Sequence, residues 1–184
     1  MQEDAKPATI RRVCAADVDA IAARQAGRSG QDPARLRDRI AAELSDSTRR
    51  PWVAVVSGAV VGYARLTRHD ADQAVPDAAP SGLYLGGVVV DPLLRRQGIG
   101  EPPTRTRMCA AFAEEREVRY IADAGNHASI AMHSALDFRE ITRRFEFPGV
   151  RFTGGVGILF QASQENSHRE LPAKLTAFRG AFSP

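Results

Sequence analysis

Val88-Val89-Val90-Asp91-Pro92-Leu93-Leu94-Arg95-Arg96-Gln97-Gly98-Ile99-Gly100 decides the reading of this chain. An apolar, β-branched strand end runs into a basic, glycine-containing turn of the kind that opens a helix. Gly98 and Gly100 allow backbone turns closed to other residues and let the chain approach a ligand without interference from a Cβ. Successive N–H groups and the positive end of the following helix then point at an anion. Arg95 and Arg96 add charge-assisted donors suited to a pyrophosphate or a ribose phosphate. The residues after Gly100 exclude two nucleotide-binding patterns. The dinucleotide fingerprint needs a third glycine and the P-loop needs Gly-Lys-Ser/Thr, but the next residues are Glu101-Pro102-Pro103-Thr104.

The rest of the chain must supply a scaffold for this turn. Its 184 residues, 43% hydrophobic and 26% charged, suit one globular domain with a sizeable core. No apolar run reaches transmembrane length, and Met1-Gln2-Glu3-Asp4-Ala5-Lys6-Pro7 is too polar for a secretory signal, so a cytoplasmic location without membrane contact is expected. Cys14 and Cys109 lack metal-ligand spacing, which predicts two reduced thiols and no metal site. The net charge of +3 comes from scattered arginines without a basic, aromatic-interleaved stripe, so no nucleic-acid partner is expected.

Periodicity predicts a strand over 8–13, a helix over 15–26 with Val18, Ile21 and Ala22 inward, and a second helix from Pro33, with Asp32 as N-cap and Leu36, Ile40 and Leu44 on one face. Ser57-Gly58 joins strands 52–56 and 59–66 as a hairpin. A polar loop covers 67–82, and 83–90 is apolar enough for one strand buried on both faces. Beyond the turn come a helix over 104–117 with Met108, Ala111 and Phe112 inward, a strand over 118–124 and a helix over 126–136. Strands over 138–147 and 151–162, joined at Pro148-Gly149, complete the pattern. The order is β-α-α-β-β-β-α-β-α-β-β.

The turn resembles the acyl-CoA-binding motif of the GNAT family of N-acetyltransferases, Arg/Gln-x-x-Gly-x-Gly/Ala after a strand ending in Val-x-Pro. Arg95, Gly98 and Gly100 occupy the motif's fixed positions, and Val90 and Pro92 the strand end. A second stretch, running from Asn126 to Phe138, resembles the family's Asn-x-x-Ala/Ser-x-x-x-Tyr-x-x-x-Gly-Phe. The resemblance implies an α/β (α+β) fold over 8–162, a mixed, mostly antiparallel sheet flanked by helices, its central strands splayed to admit the pantetheine arm. Residues 1–7 form a leader outside it and 163–184 an extension, for which a short helix on the body or on a second subunit is open, and homodimers are common in the family. It also implies an enzyme that uses acetyl-CoA as co-substrate. Val88, Val89, Val90, Arg95, Arg96, Gln97, Gly98, Ile99, Gly100, Asn126 and Ser129 would bind it, with backbone N–H groups of 88–90 polarising the thioester.

Asn126, Ser129 and His133 fall on one helix face. His133 stands where the family has a tyrosine that protonates the departing thiolate, and imidazole offers such a proton. Asp137 replaces a capping glycine, a left-handed position Asp tolerates better than most residues. Pro102 and Pro103 remove two backbone donors beside the phosphate site, at little cost to a first helical turn. The strand 83–90 carries no carboxylate, leaving Tyr84, or Asp70, Asp72 and Asp77 through water, as candidates for the general base. From Asp70 to Pro80 there are three aspartates and no Lys or Arg, which would concentrate a cationic amine. An aminoglycoside antibiotic or polyamine acceptor is therefore expected, and with it a role in antibiotic resistance. Acetylation of a peptide or protein amine, and a non-catalytic acyl-CoA-binding module, are the alternatives.

Overall fold

A computed structural model describes residues 8–95, 97–152 and 154–167. Eight strands form one sheet in the order β1-β2-β3-β4-β6-β8-β7, with β5 on β3. They are β1 (Thr9–Arg12), β2 (Arg49–Val56), β3 (Ala59–His69), β4 (Gly82–Leu85), β5 (Val89–Val90), β6 (Glu117–Asp123), β7 (Arg139–Thr142) and β8 (Gly157–Ser163). The helices are α1 (Val18–Ser29), α2 (Pro33–Ser45), α3 (Glu101–Phe112), α4 (His127–Ser134) and the short α5 (Gln164–Ser167). Every pairing is antiparallel except β4 with β6, so the sheet is mixed and mostly antiparallel, as the resemblance implies.

Two apolar layers hold the helices to the sheet. On one face Met108, Ala111 and Phe112 of α3 pack with Leu83, Leu85, Val118, Tyr120 and Phe160. Val18, Ile21, Leu36 and Ile40 of α1 and α2 pack on Val53, Val60 and Tyr63. Asp32 caps α2 by accepting from Ala34 N–H, and Ser57 and Gly58 take the positive φ of a tight hairpin.

Four expectations are corrected. The stretch 83–90 is two strands, β4 and β5, and Val88, Val89 and Val90 are half-buried rather than enclosed on both faces. On α2 the third inward residue is Glu43, 3% exposed, while Leu44 is 36% exposed. A 3.6-residue turn drifts from a strict four-residue repeat, and three arginine and tyrosine partners satisfy the buried carboxylate. Helix α3 starts at Glu101, ahead of Thr104, because prolines in a first turn forfeit no intrahelical bond. Finally, β7 and β8 are shorter than expected. The chain between them crosses the sheet face so that Phe147 packs against His69 and Tyr84, and Glu146 bonds Ala79 N–H and Asp77 O. The leader 1–7 and the extension beyond 167 lie outside the described residues.

Candidate functional site

The register of β3 against β4 and β5 shapes the centre of the sheet. Leu85 stands opposite Leu66, but Val89 stands opposite Tyr63. Residues 86–88 therefore oppose only Ala64 and Arg65, a one-residue bulge. Gly86 is required there, because a Cβ would lie 2.5 Å from Arg65 Cγ. Past the bulge β5 pairs with β3 alone, whereas β6, in register with β4 at Tyr84 and Arg119, continues along β8. A wedge opens between β5 and β6. Asp91 N–H bonds Val61 O, so the antiparallel alternation commits the Val89 amide to β3 and turns the Val90 amide toward the wedge. Of the valine amides expected to face a thioester, Val89 is thus excluded.

The glycine turn at 97–100 closes the end of this wedge. Gly98 has φ +77°, the left-handed conformation that favours glycine. Gly100 sits where a Cβ would meet Met132 Sδ at 3.5 Å, Val90 Cγ2 at 3.9 Å and Val88 Cγ1 at 4.0 Å, so strand end, turn and α4 converge on it. Ile99 packs toward Gly62, Gln97 Nε2 donates to Leu93 O at 3.2 Å, and Arg95 Nε donates to Val90 O at 3.4 Å. Arg96 lies outside the described residues. Asp91 bonds Leu93 N–H and pairs with Arg24 of α1, and these donors hold its carboxyl below the usual range. The first turn of α3 is poor in donors: Glu101 N–H bonds Gly98 O, and Pro102 and Pro103 have none. An anion here would depend on the turn itself and on Arg95.

Helix α4 brings Ser129 and His133 together, but not as expected. Asn126 is its N-cap, accepting from Ser129 N–H at 3.3 Å. His133 is 5% exposed and stacks on Tyr120 with ring centroids 3.8 Å apart. Its Nδ1 donates to Ser129 O at 2.8 Å, and burial pushes its pKa down to about 4. The ring is neutral near pH 7 with its only N–H committed to the helix, so as placed it has no proton for a leaving thiolate. Tyr84 is not placed as a base either. It is 3% exposed, its hydroxyl donates to Pro80 O at 2.7 Å, and burial pushes its pKa up to about 12.

The acidic loop is used partly for its own architecture. Asp72 accepts from Ala74 N–H, Asp77 pairs with Arg144 at 2.7 Å, and Asp70 is exposed. The loop leaves β3 at His69, roughly 20 Å along the strand from Tyr63 and the glycine turn. Beside that turn, a cavity of about 210 Å³ is lined by Ile21, Arg24, Tyr63, Val89, Val90 and Arg95.

Three functional candidates escaped the sequence reading. Glu43 bonds Tyr63, Arg65 and Arg49. Tyr120 carries a buried hydroxyl with no hydrogen-bond partner among the described residues. Arg107 is wholly buried, and its position four residues after Pro103 and four before Ala111 marks the inward stripe of α3. Among the described residues no cluster of three or more His, Cys, Asp or Glu side chains is arranged to hold a metal ion, and no helix is long and apolar enough to cross a membrane.

Residues 18–138 match the acetyltransferase (GNAT) family model. No curated protein matches the sequence. Among solved structures, a phosphinothricin acetyltransferase from Sinorhizobium meliloti in complex with AcCoA is 21% identical with a TM-score of 0.63, covering 91% of this chain and 94% of that one. A ribosomal-protein-alanine N-acetyltransferase from Brucella melitensis is also 21% identical, TM-score 0.63, covering 84% and 99%. An aminoglycoside antibiotic 6'-N-acetyltransferase from Acinetobacter haemolyticus is 17% identical, TM-score 0.61, covering 78% and 99%.

Proposed function

Because the chain belongs to the GNAT acetyltransferase family, and is therefore an acyltransferase, we propose that it transfers the acetyl group of acetyl-CoA to a primary amine of a small cationic acceptor, an aminoglycoside foremost. The observation that carries this reading is the bulge at 86–88, which opens a wedge lined by the Val90 amide and ended by the glycine turn. The donor set fits the proposed co-substrate: a turn with Gly98 in the left-handed conformation and an arginine suits a pyrophosphate, and a wedge with an outward amide suits an extended arm carrying a thioester.

Acetyl-CoA supplies an activated acyl group. The unprotonated amine nitrogen attacks the thioester carbon, the C–N bond forms as the C–S bond breaks, the nitrogen's surplus proton passes to water, and CoA leaves as a thiolate that is protonated from solvent. On this reading Arg95 and the backbone of Gly98, Ile99 and Gly100 hold the phosphates, while Val90 N–H donates to the thioester oxygen. His133 supports the stack beneath Tyr120 and takes no proton step. The exposed Asp70 and Asp72 support a cationic acceptor.

The test is release of free thiol from acetyl-CoA against aminoglycosides, polyamines and peptides with free N-termini. Turnover with an aminoglycoside supports the proposal. Turnover confined to peptides replaces the acceptor, and acetyl-CoA binding without turnover on any amine overturns the reading.

A further inference from the structure

Arg107 lies in the middle of α3 with no exposed surface. Its Nε donates to Pro103 O at 3.0 Å and its Nη2 to Thr104 Oγ1 at 3.2 Å. Nη1 donates to two carbonyls at once, Arg65 O at 2.8 Å and Gly86 O at 2.6 Å. All four acceptors are neutral and none is a carboxylate. A guanidinium stays charged near pH 7, so among the described residues this is a buried cation without a counter-ion, an arrangement costly enough to need a compensating role.

The two carbonyls identify that role. Arg65 O also accepts from Gly86 N–H at 2.8 Å, so the ladder between β3 and β4 holds up to that bond and slips immediately after it. A bulge leaves backbone groups without ladder partners, and buried carbonyls need donors. Nη1 meets the carbonyl at the leading edge of the slip and the one it slips against. We propose that Arg107 is the residue that clamps the bulge at 86–88, and thereby a positioning residue for acyl transfer, an inference that rests on the acetyltransferase reading above. Without the clamp, a one-residue return to the regular register would turn Val89 and Val90 over and point the Val90 amide at β3 instead of the wedge.

Arg107→Met removes the donors while keeping length, and Arg107→Lys keeps the charge but not a planar fork that bridges two carbonyls. In the ligand-free protein, amide hydrogen exchange across 86–90 should rise about tenfold or more in Arg107→Met, with the β6–β8 pair unchanged. In turnover, kcat should fall about 10²-fold while KM for acetyl-CoA stays within about threefold, and Arg107→Lys should not restore kcat. Unchanged exchange at 86–90, or a uniform loss of protection over the whole sheet, overturns the clamp. So does kcat within about threefold of wild type. If the wild-type protein turns over no amine, the proposed function fails while the exchange measurement still decides the clamp. Should neither variant fold, guanidinium NMR of the wild-type protein decides: resolved, slowly exchanging Arg107 Nη protons support the clamp, and one averaged, fast-exchanging signal overturns it.

Discussion

His133 donates its Nδ1 proton to the carbonyl of Ser129, one turn earlier on α4, at 2.8 Å. A carbonyl accepts only, so the bond selects the tautomer whose Nε2 is unprotonated. Burial pushes the pKa from an ordinary 6.5 to about 4. In the window between those values the unfolded chain binds the proton and the folded one does not. Stability is therefore full above pH 6.5 and falls as pH drops, losing about 3 kcal/mol by pH 4. Urea unfolding at pH 7 and pH 4 should show this loss in the wild-type protein, and His133→Phe, which keeps a stacking ring, should shed most of it. The imidazole C2 proton of His133 should not titrate between pH 5.5 and 8, and a midpoint near 6.5 would refute the assignment.

Pro102 leaves the first turn of α3, beside the proposed phosphate site, one backbone donor short. Pro102→Ala restores one exposed N–H at the positive end of the helix without touching the core. A charge-assisted hydrogen bond is worth about 1.5 kcal/mol, so calorimetry should show CoA binding about tenfold tighter. Unchanged affinity would mean that the phosphates do not reach the helix terminus.

Asp137 holds φ +63° at the end of α4, where its N–H bonds Ser134 O. Glycine takes this conformation without a Cβ penalty. Asp137→Gly should stabilise the protein by about 0.5–1 kcal/mol, raising Tm by roughly 1–4 °C. A lower Tm would show that the aspartate contributes more than a tolerated cap.

Glu43, 3% exposed, carries the buried charge that Arg65 and Arg49 share and accepts the Tyr63 hydroxyl. Its removal leaves the buried Tyr63 hydroxyl without an acceptor and the part-exposed Arg65 without its carboxylate, while Arg49 keeps Asp46. Glu43→Leu should cost about 1–3 kcal/mol in equilibrium unfolding, the cost of a buried hydroxyl left without an acceptor, whereas Glu43→Gln, which keeps an acceptor oxygen, should cost less. Equal losses would assign the effect to packing alone.

What could be read from the chain itself was local. Val90-Asp91-Pro92 ends a strand, Gly98 takes a left-handed turn, Asp32 caps a helix, Ser57-Gly58 turns a hairpin and Asp137 adopts positive φ. Each depends on backbone preferences and hydrogen bonds spanning a few residues, so neighbouring side chains suffice to specify it. Family membership was legible for the same reason, since the two motifs are contiguous stretches. The tertiary structure alone decided the slip at 86–88, the burial of Arg107 and Glu43 over Leu44, and the packing of Phe145 and Phe147 onto the sheet. It also turned His133 from an expected proton donor into a neutral ring stacked on Tyr120. These outcomes depend on which distant groups meet: the register of one strand against another, the carbonyls that accept a guanidinium, and the solvent that packing removes. A one-residue slip leaves composition and periodicity unchanged, yet it directs the backbone of β5 toward or away from the wedge.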